Sequence, residues 1–219
     1  NIINVLNSIH PLIYQTIKWL YLSNMSYIRF LNESEQDSSV GTQWQFQTIF
    51  DNVEKEHRFN QLRQETILNK RTYKSKGKTG SFNAFHGTAT YNGLPIIFHG
   101  LKNFSGTSMM STGSALGSGI YTAEIISTAM NYARQCPTWC NSMFGDNMTL
   151  IFLCEIIDRP SDFTNTTNGY FNGSNVFVIP NEDYVITRRI IINPTNRTAT
   201  TAQMRVTGIL EATPIGEET

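Results

Sequence analysis

The sequence predicts an α+β fold with a largely antiparallel β-sheet, on three observations. Candidate strands follow one another in runs and do not alternate strictly with helices. The three strongest strand candidates are rich in Ile, Val and Phe, and loops of Asn, Gly, Thr and Pro separate them; they are 149–157, 175–179 and 184–192. At 219 residues and 40% hydrophobic content, the chain is long enough to bury the core of one full domain.

The N-terminal quarter predicts a helix followed by two short strands. Apolar residues recur at helical spacing through 11–22, and Pro11 stands at the favoured first position of a helix. We expect this amphipathic helix to pack on the main body. Short strands are predicted over 27–31 and 45–50, joined by a polar loop over 32–42.

The middle of the chain alternates between helices and strands. A charged helix over 53–67 presents Phe59 and Leu62, and a basic loop over 70–80 is more simply a solvated loop than a substrate-steering one. The remaining predicted elements are a strand over 81–86, a short helix over 92–98 closed by Gly100, a strand over 119–122, and a helix over 124–134.

Composition excludes several classes of protein. The formal net charge is zero, so global electrostatics recruit neither nucleic acid nor an anionic membrane. Apolar residues near the N-terminus are interrupted too often for a membrane span or a clear signal peptide. The three cysteines form no disulfide framework, and Cys136 and Cys140 lack a second ligand pair for zinc. We therefore expect no metal and a reducing compartment, cytoplasmic or nuclear.

The most informative stretch runs from 84 to 133. It places His86, Tyr121 and Tyr132 on three different predicted elements, around a glycine turn that reads Gly117-Ser118-Gly119. A site for a flat, polar, positively charged ring is a plausible result of this arrangement.

Three ordered motifs carry a family resemblance: Phe85-His86-Gly87-Thr88, then Gly100-Leu101-x-Asn103, then Gly113-x-x-x-Gly117-x-Gly119-Ile120-Tyr121. Together they resemble the catalytic domain of the poly(ADP-ribose) polymerase family. The likeness is closest to its mono-ADP-ribosylating branch, represented by the sixth and eighth human members. Segments 16–24, 153–156 and 180–188 extend it over nearly the whole chain.

The resemblance implies an ADP-ribosyltransferase fold, with a mixed, mostly antiparallel split sheet and flanking helices. It also implies a division into an N-terminal helical extension over 1–42 and a catalytic domain over 43–219. NAD would be the substrate, with no metal required.

The family positions assign roles around NAD. Gly87 would offer backbone groups to the nicotinamide carboxamide, and Tyr121 and Tyr132 would sandwich the cationic pyridinium ring. The positions that hold the adenosine ribose are His86, Thr88 and Asn92. The implied catalytic set is His86, Tyr121 and Asp183.

Two positions depart from the family pattern. Ala129 stands where a serine usually contacts the carboxamide, which removes one hydrogen bond. Asp183 stands where polymer-forming members have a glutamate, and a shift of one residue in the alignment would bring Glu182 or Tyr184 to that position instead. The shorter carboxylate favours transfer of a single unit.

The resulting expectation is a monomeric, NAD-dependent mono-ADP-ribosyltransferase that modifies a protein acceptor, itself included. Its alternative is a pseudoenzyme that binds NAD or ADP-ribose as an interaction module and turns over little. An RNA 2′-phosphotransferase is more distant, because Lys102 is the only Lys or Arg between His86 and Tyr132. His10, His57 and His99 are assigned to helix ends or the surface.

Overall fold

The fold is described from a computed structural model of the chain. The described residues are 8, 10, 12–16, 28–48, 53–75, 77–107, 116–138, 142, 144–171 and 174–194, with the backbone alone described for 167–171 and 174.

Within these residues, nine strands form one sheet in which each pair of neighbouring strands is antiparallel, which confirms the α+β prediction. The strands are β1 Ile28–Phe30, β2 Gln45–Thr48, β3 Ser81–Thr88, β4 Ile120–Ala123, β5 Cys136–Pro137, β6 Asn147–Ile157, β7 Thr164–Phe171, β8 Ser174–Ile179 and β9 Val185–Pro194. Their order is β1-β2-β9-β6-β3-β4-β8-β7, with β5 added to β6. The helices are α1 Val53–Leu68, α2 Lys70–Tyr73, α3 Gly93–His99 and α4 Ile126–Met130.

Two helices cover opposite faces of the sheet. Successive side chains of a strand point to opposite faces, so Ile151 and Phe152 of the central strand β6 face different layers. Phe59 of α1 is buried in the larger cluster with Phe152. Ala129 of α4 is buried in the smaller cluster with Ile151. The sheet therefore lies between α1 and α4.

The sheet opens between β3 and β4. β3 pairs with β6 along all eight of its residues, but its ladder with β4 holds one pair, Phe85 with Ala123. Past Phe85, one edge of β3 is therefore left without a β4 partner among the described residues. This opening matches the split sheet that the family resemblance implies.

Several predicted boundaries are wrong. Part of the predicted basic loop is helical, since 70–73 form α2. The helix predicted over 124–134 is confined to α4, so Glu124 and Arg134 lie outside it. Tyr184 belongs to a 3-10 helix, Glu182–Tyr184, and not to β9. The short strand β5 and the polar strand β7 were not predicted at all.

The N-terminal predictions are tested in part. Residues 13–16 are helical, and the rest of the predicted helix over 11–22 lies outside the described residues, apart from Leu12. Strand β1 pairs with β2 in the main sheet, so a boundary after residue 42 separates two paired strands. The division at 42 stays a prediction.

Candidate functional site

A cavity of about 420 Å³ occupies the opening between β3 and β4, within the range typical of small-molecule sites. All six residues predicted to bind the ligand line it: His86, Gly87, Thr88, Asn92, Tyr121 and Tyr132. Further lining residues come from α3, from the loop after it, from the region of α4 and from β8; among them are Ile96, His99, Lys102, Phe104, Ser105, Thr128, Ala129, Arg134 and Val176.

His86 joins the two strands where they part. Its Nδ1 lies 2.8 Å from the carbonyl oxygen of Tyr121. Since a carbonyl can only accept, Nδ1 carries the proton, and Nε2 of the neutral ring is left as an acceptor. Burial lowers the pKa of His86, and the hydrogen bond to Tyr121 opposes that shift without cancelling it. The neutral form is therefore favoured near neutral pH.

Gly87 allows α4 to lie directly against β3. A Cβ atom built on Gly87 would stand 1.8 Å from the carbonyl oxygen of Ala129 and 3.1 Å from the amide nitrogen of Ala133. No side chain fits at these distances. The glycine therefore sets the spacing between the two walls that carry His86 and Tyr132.

Tyr121 is held by the turn that precedes it. Its hydroxyl donates to the carbonyl of Gly117 at 2.7 Å and accepts from the amide of Leu116 at 3.0 Å. Gly117 has a φ of 103°, which disfavours any other residue, and a Cβ on Gly119 would stand 2.8 Å from Cγ1 of Val178. The two positions of the turn thus favour glycine for different reasons, backbone conformation at Gly117 and lack of space at Gly119. The turn fixes Tyr121 at the cleft wall.

The wall near α3 is organised around Asn92. Its side-chain amide donates to the hydroxyl of Thr88 at 2.9 Å, which joins two predicted ligand residues. His99 also lines the cleft, which the sequence reasoning missed. The spacing of Asn92, Ile96 and His99 by four and three residues places them on one helix face and could have signalled it.

Ala129 lies where the family resemblance expects a serine. It is buried and lines the cleft. The side chain at this point therefore offers no hydroxyl to a ligand.

The structure does not bring Asp183 to the cleft. Its carboxylate lies 3.6 Å from Nε of Arg58 in α1, and its side chain is about half exposed. The reason is local: residues 182–184 form a 3-10 helix, so the alternation of a regular strand does not apply to them. Glu182 and Tyr184, the neighbouring candidates, are also absent from the described lining.

Val176 of β8 lines the cleft. It is buried, it pairs with Ala123 of β4, and it lines the cavity beside the β3–β4 opening. Among the described lining residues none is Asp or Glu. The sequence reasoning missed Val176, because it lies within the apolar strand β8 and belongs to none of the motifs that carry the resemblance.

Groups of three or more His, Cys, Asp or Glu side chains that could hold a metal ion do not occur among the described residues. Neither Cys136 nor Cys154 forms a disulfide bond, and Cys140 lies outside the described residues. Within the same part of the chain, no helix is both long and apolar enough to cross a membrane.

The family model of the poly(ADP-ribose) polymerase catalytic domain matches residues 28–157, more than half of the chain and including the β3–β4 cleft. Members of this family use NAD as their substrate.

Curated relatives include the protein mono-ADP-ribosyltransferases PARP16 and PARP8. Mouse PARP16 is 32% identical over 92 residues, covering 42% of this chain and 27% of the relative. Human PARP16 is 30% identical over the same length. Human PARP8 is 26% identical over 204 residues, covering 81% of this chain and 21% of the relative.

The chain thus spans about a quarter of the length of these relatives. The eighth human member, named by the sequence resemblance, is among them. The family match extends through β1, α1, β3, β4 and β6, the elements that build and support the cleft. The chain belongs to the poly(ADP-ribose) polymerase catalytic domain family.

Proposed function

We propose that this chain binds NAD in the cleft between β3 and β4 and transfers a single ADP-ribose to a protein acceptor, itself included. One observation carries the proposal: His86, Tyr121 and Tyr132 line one cavity whose described lining contains no carboxylate. The histidine and the two tyrosines support NAD as the ligand. The lack of a carboxylate in the described lining supports one transfer without elongation.

The nicotinamide end of NAD fits the wall formed by Gly87 and the two tyrosines. A carboxamide needs one donor and one acceptor, and the edge of β3 past Phe85 has backbone groups without a β4 partner among the described residues. The pyridinium ring is flat and cationic, so the aromatic faces of Tyr121 and Tyr132 attract it.

The ribose end fits the wall near α3. Neutral His86 offers Nε2 as an acceptor for a ribose hydroxyl, because its Nδ1 proton is already bonded to Tyr121. The Thr88 hydroxyl and the Asn92 amide form a hydrogen-bonded pair at the same wall. These short polar groups suit the hydroxyls of the adenosine ribose.

The reaction breaks the bond between the nicotinamide nitrogen and C1′ of its ribose. The bonding electrons leave with nicotinamide, which becomes neutral, and the ribose carbon develops positive charge. An acceptor side chain attacks C1′ and releases its proton to solvent. The protein's contribution is to orient NAD and exclude competing water.

The missing carboxylate bears on the number of units transferred. In polymer-forming members, a carboxylate near the 2′-hydroxyl both stabilises the developing charge and activates the hydroxyl of the growing chain. The described lining of the cavity holds no carboxylate that could supply either effect. We therefore propose slow turnover that stops after one unit per acceptor.

The test is incubation of the whole chain with NAD, followed by intact mass spectrometry and measurement of nicotinamide release. The proposal predicts adducts of one ADP-ribose per modified site. His86→Ala should abolish them, whereas Glu33→Gln, an exposed change on the β1–β2 loop, should not. Absence of adducts on the chain and on an added protein extract would refute transferase activity.

A second candidate is an NAD-binding module that does not turn over. Ala129 favours it, since it stands where the family pattern has a serine that contacts the carboxamide, and the described lining of the cavity contains no Asp or Glu. Calorimetric binding of NAD without release of nicotinamide would establish this alternative.

A further inference from the structure

The loop that follows α3 forms one wall of the cleft and has no regular secondary structure. Leu101, Lys102, Phe104 and Ser105 all line the cavity. An irregular wall of this kind depends on contacts from elsewhere in the fold to hold one conformation.

Glu182 supplies those contacts from the segment between β8 and β9. One carboxylate oxygen accepts from Nζ of Lys102 at 2.8 Å, and the other accepts from the backbone amide of Asn103 at 2.8 Å. The side-chain amide of Asn103 in turn donates to the carbonyl of Pro180 at 3.2 Å. The loop is thus tied at two adjacent residues to a single short segment.

The segment that carries Glu182 is itself anchored. Asn181 caps the 3-10 helix by accepting from the amide of Asp183 at 3.0 Å. Tyr184 is buried, and its hydroxyl donates to Asp162 at 2.9 Å. The Glu182 carboxylate therefore starts from a fixed backbone position.

The far end of the loop connects to the glycine turn. The Asn103 carboxamide oxygen accepts from the amide of Ser105, and the Ser105 hydroxyl accepts from the amide of Gly119 at 2.9 Å. Gly119 lies two residues before Tyr121. A continuous set of hydrogen bonds therefore runs from Glu182 to the turn that positions the ring of Tyr121.

We infer that Glu182 is a positioning residue that holds the 101–105 wall in the shape that receives NAD. The inference rests on the proposed function. Without the carboxylate, Lys102 loses its ion pair and the Asn103 amide loses a charge-assisted hydrogen bond. NAD binding would then have to order the loop, which costs free energy. The affinity for NAD therefore falls, while the rate of the bond-breaking step changes little.

The first test measures NAD binding and turnover in Glu182→Gln and Glu182→Ala. We expect Kd and KM for NAD to rise about three- to tenfold, with kcat within about twofold of wild type. Glu33→Gln, an exposed carboxylate-to-amide change, should leave all three values unchanged. Unchanged Kd and KM in both Glu182 variants, or a loss in kcat alone, would overturn the inference.

The second test needs no NAD. Trypsin cleaves after lysine, and Lys102 is the lysine that Glu182 holds, so cleavage between Lys102 and Asn103 reports the mobility of the wall. Both Glu182 variants should be cleaved there faster than wild type and Glu33→Gln, at unchanged melting temperature. Equal cleavage rates would refute the positioning role. Failure of wild type to bind NAD would refute only the proposed function.

Discussion

Replacing Gly87 with alanine forces a methyl group into the backbone of α4. The new Cβ would lie 1.8 Å from the Ala129 carbonyl oxygen and 2.8 Å from its carbonyl carbon, and real Cβ contacts are essentially never shorter than 3.0 Å. The gap must widen from 1.8 to at least 3.0 Å along that direction. The obstacle is helix backbone, which has no flexible side chain to move aside.

The widening has two separate costs. Overpacking of a well-packed core typically costs about 1–3 kcal/mol, which for a chain of this size lowers the melting temperature by about 2–12 °C. It also displaces the wall that carries Thr128, Ala129 and Tyr132. A misplacement of about 1 Å in a substrate-positioning wall can cost roughly a hundredfold in rate, so a large loss of activity is expected beside the loss of stability.

Gly77→Ala is the matched control. A Cβ on Gly77 would find its nearest neighbour at 3.4 Å, an ordinary contact, and Gly77 has no positive φ. Urea unfolding of both variants measures the first cost, and their rate of nicotinamide release measures the second. The reasoning is refuted if Gly87→Ala unfolds and releases nicotinamide as wild type does, or if Gly77→Ala shows equal losses.

Three further predictions concern single residues of the cleft or its surroundings. Burial lowers the pKa of His86 below its ordinary value of 6.5, so the unfolded chain takes up a proton that the folded chain does not as pH falls through that value. The free energy of unfolding, measured with urea, should therefore fall as pH drops from about 8 to about 5.5. His86→Gln should reduce the slope of this dependence on pH. A slope identical to that of wild type would contradict the lowered pKa of His86. Asp183→Asn should keep the rate of ADP-ribose transfer within about twofold, because the carboxylate faces Arg58 outside the cleft; a large loss measured by nicotinamide release would restore its catalytic role. Ala129→Ser should tighten NAD binding about fivefold in calorimetry, since one hydrogen bond contributes about 1 kcal/mol; unchanged or weaker binding would mean that the hydroxyl does not make that hydrogen bond.

Much of the fold could be predicted from local patterns. β6 and β9 are apolar runs long enough to identify a buried strand, and the helix α1 carries Phe59 and Leu62 on an otherwise charged surface. β7 is polar, with Asn and Thr through most of its length, so its strand character depends on pairing with β8 rather than on its own sequence.

The candidate site, too, could be predicted from the sequence only in part. His86, Gly87, Tyr121 and Tyr132 stand at motif positions whose spacing can be read directly, and all four line the cleft. Asp183 was chosen by aligning residues 184–187 with the strand of the family's last motif, but residues 182–184 form a 3-10 helix and the Asp183 carboxylate lies beside Arg58. The roles of Val176 and Glu182 depend on contacts between distant segments, which a motif does not encode.

Intact mass spectrometry of the chain after incubation with NAD tests the central claim most directly. The account predicts additions of one ADP-ribose per modified residue, with nicotinamide released in equal amount and both lost in His86→Ala. Additions of several units on one residue would contradict the proposal that a cleft without a carboxylate stops after a single transfer. No addition and no NAD binding would contradict the assignment of the cleft itself.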